Sequence, residues 1–246
     1  MWSDLDRPPL AGVRGKPVRV HGGWRVRVVA STASTIADVI AAARAGEAPG
    51  YVLVAEQQTA GRGRLDRSWI SPARAGLTFS ALLTAAPSSW VPLLGGVAVA
   101  QAITDVCGLP ATLKWPNDVL VGEHKVAGVL AEVAAAPHGP RVVLGIGINV
   151  TTTREELPPD FRATSLRLAG AEVTDRLTLL RAILHELAQG ATPNDYRSSC
   201  ATLGREVAVH LPDGTVASGV AEQVDEGGRL VVAGRAYAAG DVVHLR

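Results

Sequence analysis

Apolar and polar positions alternate along this 246-residue chain in patterns that predict strands and helices in turn. Residues 24–30 (WRVRVVA) have the period of two typical of a strand, and a Thr35–Asp38 capping pattern then begins a helix over 35–43. Apolar runs predict buried strands at 51–56 and 76–84, and a helix at 91–106. Three more strands follow at 119–121, 126–133 and 142–150, of which the first two form a hairpin. An amphipathic helix begins at Asp175 and ends before Gly190.

The chain divides into three parts on this pattern. Residues 1–23 are rich in proline and glycine and are expected to be an irregular arm. Residues 24–203 form the main domain. From residue 204 to 246 about five short strands are separated by tight turns, which predicts a small closed barrel.

Composition and charge narrow the function classes. Hydrophobic residues make up 47% and charged residues 19%, which is typical of a folded globular chain. A net charge of +1 disfavours DNA as the main partner, and the apolar stretch at 91–103 is too short to span a bilayer. Cys107 and Cys200 can form neither a disulfide framework nor a metal site by themselves, and no signal segment opens the chain. We therefore expect a cytoplasmic protein with no DNA and no membrane partner.

The polar segment 57–75 between two buried strands is the first candidate for chemistry, because long irregular loops in compact domains are usually functional. Its core reads AGRGRLDRSW from residue 60 to 69. Glycines allow close backbone approach to a ligand, and Arg62, Arg64 and Arg67 offer donors suited to phosphate or carboxylate. Trp69 adds a flat face on which a base could stack. On this pattern alone, a solvated arginine turn that binds nothing is an equal alternative.

The second candidate is KWPND at residues 114–118, followed by KVAGVLAE at 125–132. Lys114 and Lys125 adjoin buried strands, where a lysine is costly unless it meets an anion. Asn117 and Asp118 present hard oxygens that suit magnesium on a nucleotide. Taken alone, the segment reads more simply as a Pro-Asn-Asp turn whose lysines reach water.

Together the two segments resemble the biotin–protein ligase family. The shared motifs, in order, are Ser34-Thr35, QTAGRGR at 58–64, KWPND at 114–118, KVAGVLAE at 125–132 and GIGIN at 145–149. The resemblance covers residues 24–246. It implies an α+β fold in which helices pack on one side of a mixed sheet, as in class II synthetases, with a C-terminal SH3-like barrel. By this resemblance we expect the form of the family that lacks an N-terminal DNA-binding domain. The family usually has Asn after Ser-Thr, and here Ile36 stands in that place.

The resemblance also implies roles for particular residues. Ser34, Thr35 and Gln58 would bind the ureido head of biotin. Arg62, Gly63 and Arg64 would close over biotin and phosphate. Lys125 would reach the biotin carboxylate or the bridging oxygen of the adenylate. Lys125, Arg62 and Arg64 would thus be the catalytic residues. The ATP and adenylate site would comprise Arg67, Trp69, Lys114, Asn117, Asp118 and Asn149, with Asp118 also holding Mg²⁺.

The implied reaction has two steps. The carboxylate of biotin attacks the α-phosphorus of ATP to give biotinyl-5′-AMP and pyrophosphate, and a lysine of a biotin carboxyl carrier protein then takes the biotin. Mg²⁺ would accompany ATP, no tightly bound cofactor is expected, and the chain would be a monomer or weak homodimer. The absence of a G-x-S-x-G elbow agrees with a mechanism that has no covalent enzyme intermediate. The alternatives are a lipoate–protein ligase, which the arginine–glycine loop and KWPND disfavour, and a biotin-sensing regulator with weak ligase activity.

Overall fold

A mixed eight-stranded sheet forms the centre of the main domain. The structure, a computed structural model, describes residues 10, 18–19, 23–65, 67–159 and 162–245. The strands of this sheet are β1 (Val18–Arg19), β2 (Arg25–Val29), β3 (Tyr51–Ala55), β4 (Gly76–Leu83), β5 (Ala111–Lys114), β6 (Asp118–Val121), β7 (His124–Ala134) and β8 (Arg141–Asn149). Their order is β1-β2-β3-β4-β8-β7-β6-β5. Only β2 and β3 are parallel among these pairs, so the sheet is mixed as predicted.

Helices cover both faces of this sheet. They are α1 (Thr35–Arg44), α2 (Trp90–Cys107), α3 (Arg176–Gln189) and α4 (Pro193–Ser199). Tyr51 and Leu53 of β3 pack with α1, whereas Val52 and Val54 belong to the core around α2 and α3. Successive strand residues point to opposite faces, so these helices lie on opposite sides of the sheet. The expectation that the helices pack on one side is therefore wrong. All five residues of β3 are buried because both faces are covered.

Hydrogen-bonding side chains begin the helices, though α1 differs from the prediction. Its N-cap is Ser34, whose hydroxyl accepts from the Ala37 amide, and not Thr35. Asp38 accepts instead from the Thr32 hydroxyl. The Thr35 hydroxyl is thereby available for other contacts. At α3 the Asp175 carboxylate accepts from the Thr178 amide at 2.7 Å, which confirms the predicted start.

Strand β5 and helix α4 were not predicted from the sequence. Strand β5 is short and only one of its residues, Leu113, is buried, so its apolar signal is weak. Helix α4 occupies a polar segment and begins with a complete capping box between Thr192 and Asp195. It buries one large side chain, Tyr196.

Helix α2 is the one helix in the described ranges that is long and apolar enough to cross a membrane by length and composition alone. Its 18 residues have a mean hydropathy of 1.4. Leu93, Val99 and Ile103 are buried in the core that also contains residues of α3 and of the sheet. This packing accounts for the apolar composition of the helix.

The C-terminal segment forms a second, antiparallel sheet. Its strands are β9 (Glu206–His210), β10 (Val216–Val224), β11 (Leu230–Val232), β12 (Arg235–Tyr237) and β13 (Asp241–His244), in the order β12-β11-β10-β9-β13. Among the residues described, no pairing of β12 with β13 closes the sheet. Two tryptophans attach it to the main domain: the Trp115 indole donates to the Gly228 carbonyl and the Trp90 indole to that of Glu226.

Most of the predicted N-terminal arm lies outside the described residues. Where residues 1–23 are described, they are not wholly irregular. Val18 and Arg19 form β1, which pairs antiparallel with β2. Leu10 is buried, and its amide donates to a carboxylate oxygen of Glu56 at 2.7 Å. This part of the segment therefore packs on the main domain.

Candidate active site

A row of small residues forms the floor of a groove on the α1 side of the main sheet. In β8, Gly145 faces Ser80 of β4 and Gly147 faces Thr78. On the other side of β8, Gly147 pairs with Gly128 of β7. Because these three glycines have no side chains, they leave a depression in the surface of the sheet. It lies between the beginning of α1 and the loop 57–75. The G-x-G-x-N motif therefore supplies space rather than a reactive group.

Hydrogen-bonding side chains cluster at one end of the groove. The side-chain oxygen of Gln58 accepts from both the amide and the hydroxyl of Thr35, at 2.7 and 3.0 Å. The Thr35 hydroxyl also lies 2.9 Å from that of Ser80, which is fully buried. Ser34, the N-cap of α1, completes this end. Because the Gln58 oxygen is occupied, its amide nitrogen is the group left to donate to a ligand.

The part of the loop that carries the arginines is an ordered hairpin, not a structureless segment. The Gly63 amide donates to the Arg67 carbonyl at 2.6 Å, and the Trp69 amide donates to that of Gly61 at 2.9 Å. Arg62 and Ser68 face each other across this hairpin. The hairpin folds over the groove, so several of its side chains line the cavity.

Trp69 lies directly on the glycine floor. A methyl group added at Gly147 would lie 2.6 Å from the indole nitrogen and 2.8 Å from Cζ2 of Trp69. The indole nitrogen is buried and has no hydrogen-bond acceptor within the described part of the chain. Gly147 therefore allows Trp69 to occupy the floor, with one donor still unsatisfied.

Two ion pairs connect the loop to its surroundings. Arg62 pairs with Glu132 of β7 at 2.9 Å, and Arg67 pairs with Asp241 of β13 at 2.8 Å. The second pair joins the loop to the C-terminal sheet, so that sheet contributes directly to the groove.

A β-bulge directs Lys125 into the groove. Val119 pairs with Ala127 and Leu120 with Lys125, which leaves Val126 as an extra residue on β7. Strict alternation would place Lys125 on the same face as Ala127, in the core, and the extra residue reverses this. The ammonium nitrogen lies 2.5 Å from an Asp118 oxygen and 5.8 Å from the centre of the Trp69 ring.

Two asparagines are anchored by their amide nitrogens. Asn117 donates to the Val129 carbonyl at 3.1 Å, and Asn149 donates to the Thr164 carbonyl at 3.0 Å. Each side-chain oxygen is thereby held in a fixed direction. Both residues line the cavity.

Burial destabilises the charged forms of two cations near the groove. It lowers the pKa of Arg64 and that of Lys114, and the carboxylates of Asp118 and Asp241 partly offset the effect at both. No carboxylate in the described ranges lies within ion-pair distance of either residue. A bound anion would therefore stabilise both cations.

The structure brings together nearly all the site residues predicted from the sequence. The cavity is lined by Ser34, Thr35, Gln58, Arg62, Gly63, Arg64, Arg67, Trp69, Asn117, Asp118, Lys125 and Asn149. Lys114 is the exception: it is close enough to Asp118 for their charges to interact, but it does not line the cavity. Within the described ranges no group of three or more His, Cys, Asp or Glu residues forms a metal site.

Several residues in and around the groove were not predicted from the sequence. Thr78 and Ser80 are polar residues at alternate positions of an otherwise apolar strand, which was an available signal. Asp241 is the first residue of β13 and Gly240 directly precedes it, and no local pattern links them to a site in the main domain. Glu132 is the last residue of the KVAGVLAE motif, but nothing in that motif indicates that it pairs with Arg62.

Comparisons with known proteins agree with this geometry. The model of the biotin/lipoate A/B protein ligase family matches residues 29–149. A biotin–[acetyl-CoA-carboxylase] ligase of Mycobacterium tuberculosis is 42% identical over 99% of this chain and 98% of its own length. The bifunctional ligase/repressor BirA of Bacillus subtilis is 39% identical over 55% of this chain and 44% of its own length.

Solved structures share the same fold. A biotin protein ligase from Aquifex aeolicus, in complex with biotin and ATP, has a TM-score of 0.75 and 29% identity. The match covers 90% of this chain and 98% of that one.

Proposed function

This chain belongs to the biotin/lipoate A/B protein ligase family, and from that premise we propose how its groove carries out the reaction. It is a biotin–protein ligase, which uses ATP to activate biotin. The observation that carries the proposal is one groove with hydrogen-bonding groups at one end and cations at the other. Biotin has a matching polarity, with a ureido head, an apolar body and a terminal carboxylate.

The polar end of the groove would hold the ureido head. The Gln58 amide nitrogen and the hydroxyls of Thr35 and Ser80 supply donors and acceptors there. Ile36 also lines the groove and places its Cδ1 against Gly145, so it gives an apolar wall where the family usually has Asn. A head group bound beside Ile36 would be recognised through fewer polar contacts.

The cationic end would bring two anions together. Lys125 would exchange its Asp118 oxygen for the biotin carboxylate, and Arg62 and Arg64 would neutralise charge on the α-phosphate. A carboxylate and a phosphate repel each other, so preorganised positive charge lowers the barrier to attack on phosphorus. Each such group typically contributes about 10²–10³ in rate. Gly63 lets the loop backbone approach the phosphate closely.

The nucleotide would occupy the remaining part of the groove. Trp69 would offer its ring and its unsatisfied indole nitrogen, and Arg67 would reach the phosphates. Asn117 and Asn149 would present their fixed side-chain oxygens, and Lys114 would act from outside the lining through its charge. Asp118 and the Asn117 oxygen are hard donors that fit Mg²⁺, which would accompany ATP and neutralise phosphate charge.

The second step needs little more than positioning, because an adenylate is already activated. The proposed acceptor is a lysine of a biotin carboxyl carrier protein domain. We further propose a division into residues 24–203 and 204–246, closure of the C-terminal sheet into an SH3-like barrel, a monomer or weak homodimer, and a cytoplasmic location.

One incubation tests the function. The protein is mixed with ATP, magnesium, biotin and a carrier domain, and the mass of the carrier is measured. We expect a gain of one biotinyl group, which requires both biotin and ATP. Replacing biotin with lipoate tests the lipoate–protein ligase alternative, since a gain of one lipoyl group would favour it. Retention on a DNA column at low salt would favour the regulator.

A further inference from the structure

A buried ion pair lies beneath the loop that closes the groove. Arg176, the first residue of α3, donates from Nη1 to an oxygen of Glu56 at 2.7 Å, and both side chains are 5% exposed. The two residues are 120 positions apart in the chain. Neither lines the cavity.

The same guanidinium nitrogen holds both ends of the loop 57–75. Glu56 is the residue directly before this loop, and Nη1 also donates to the carbonyl of Gly76, the residue directly after it, at 3.2 Å. The Glu56 carbonyl accepts a hydrogen bond from the Arg74 amide at 2.8 Å, which is a further hydrogen bond across the base of the loop. Gly76 is itself held in the main sheet, because it is the first residue of β4 and pairs with Asn149 of β8.

Helix stability does not explain an arginine at this position. The first turn of α3 has no acidic residue, and a cation at a helix N-terminus opposes the helix dipole. A buried charge pair is also costly to desolvate and is a poor source of stability. The connection between α3 and the loop is what Arg176 provides.

We propose that Arg176 is a positioning residue for the adenylation reaction. By anchoring Glu56 and Gly76, which lie at the paired ends of β3 and β4, to the first residue of α3, it sets the direction in which the loop leaves the sheet and approaches the substrate. Glu56 is also two residues from Gln58, so the same bond fixes the polar end of the groove. The inference rests on the proposed function, because it assigns Arg176 to the retention of biotinyl-5′-AMP.

The test compares variants of the full chain by the half-life of bound biotinyl-5′-AMP after dilution. The double variant Arg176→Met/Glu56→Gln removes the charge pair without leaving a buried unpaired carboxylate. We expect it to release the adenylate about tenfold faster, the effect of losing one charge-assisted hydrogen bond. Trypsin should also cut its loop about tenfold faster with biotin and ATP present. The single variant Arg176→Lys should hold the adenylate nearly as long as the unmodified protein. Its ammonium group can donate to both the Glu56 carboxylate and the Gly76 carbonyl.

Trp24→Phe is the matched control. It removes another buried hydrogen bond of α3, from the Trp24 indole to the Leu184 carbonyl at 2.8 Å, which does not touch the loop. We expect its adenylate half-life to stay within about twofold of the unmodified protein, at a Tm similar to that of the double variant. Equal half-lives for the unmodified protein and the double variant, or equal shortening in the control, would overturn the inference.

A double variant that fails to fold does not end the test. Glu56→Gln alone keeps the side-chain volume and the acceptor for the Leu10 amide, and its half-life is then compared with the control in the same way. Failure of the proposed function is separate, because it appears as no biotin-dependent pyrophosphate release from the unmodified protein.

Discussion

Replacing Gly147 with alanine adds one methyl group at the point where Trp69 meets the floor of the groove. The new Cβ would lie 2.6 Å from the indole nitrogen and 2.8 Å from Cζ2, well inside the 3.4 Å at which ordinary contact begins. Gly147 lies in β8, which is paired on both sides, with β4 and β7. The sheet therefore cannot yield, and Trp69 must move with its loop.

Moving Trp69 makes closure of the loop less favourable in free energy, whereas the packing of the core is unaffected. Overpacking by one methyl group costs about 1–3 kcal/mol, and at 1.4 kcal/mol per decade this weakens adenylate binding about 5- to 150-fold. The global free energy of unfolding should change little, because the loop can open and relieve the clash. Gly128→Ala is the matched control: its Cβ would lie 3.4 Å from Trp69 and from Lys125, which is ordinary contact.

The assay measures the affinity for biotinyl-5′-AMP by calorimetry, and the Tm of each protein without ligand. We expect Gly147→Ala to lose affinity with a Tm within a few degrees of the unmodified protein, and Gly128→Ala to change neither quantity much. Full affinity in Gly147→Ala would refute the reasoning, since Trp69 could not then occupy the floor when the adenylate is bound. Equal losses in both variants would also count against it, because the two distances differ.

Four further results are expected. Lys125→Ala should reduce biotin-dependent pyrophosphate release about 10²–10³-fold in a protein that still folds, because it removes a charge from the groove and no side chain from the core; undiminished release would contradict its role. Cys107→Ser and Cys200→Ser variants that fold should keep adenylation, since burial raises the pKa of Cys107 to about 11 and no step uses a thiol; a folded but inactive variant would count against this. Trypsin should cut the loop about a hundredfold more slowly with biotin and ATP at a hundredfold excess over Kd, while cleavage within residues 1–23 stays constant; equal loop cleavage would indicate a plain surface turn. Burial, with the charge of Lys114, lowers the pKa of His244 to about 4, so stability should fall as pH drops from about 6.5 to 4; a His244→Asn variant with an equally steep decline would refute this.

Local patterns predicted elements well where one strong signal was present. The amphipathic helix from Asp175 to Gly190 and the hairpin before Lys125 are both in place, because caps and turns act through neighbouring residues. The position of α1 relative to α2 could not be predicted in the same way. Side-chain spacing shows which face of a helix is apolar, but not which side of a sheet that face will meet.

The site likewise combines features that local patterns predict with features that depend on long-range contacts. Its motif residues converge as predicted, yet the direction of Lys125 depends on one extra residue in β7, and pairing register is set by the neighbouring strand. Asp241 reaches the groove because the C-terminal sheet docks on the main domain, where Trp115 and Trp90 donate hydrogen bonds to it. Sequence motifs thus predicted which residues come together around the cavity, whereas contacts between distant segments determine how they are arranged.

Ion pairs between distant segments explain how a protein with a net charge of only +1 can hold a site for two anions. Three cations of the groove are each paired with a carboxylate: Arg62 with Glu132, Lys125 with Asp118 and Arg67 with Asp241. The carboxylates offset the mutual repulsion of the cations when no substrate is bound, which lets the positive groups remain close together.

The pairs of Arg62 and Arg67 are partly exposed, so exchanging either carboxylate for a substrate anion costs little, at most about 1 kcal/mol for each pair. Arg64 and Lys114 differ, because burial lowers their pKa values and no described carboxylate pairs with them. An anion bound near them therefore gains an interaction without displacing an existing one. Of these two cations, Arg64 is the one that lines the cavity, and it is only partly exposed. A bound phosphate should therefore interact most strongly with Arg64, which makes the phosphate the group best placed to close the loop.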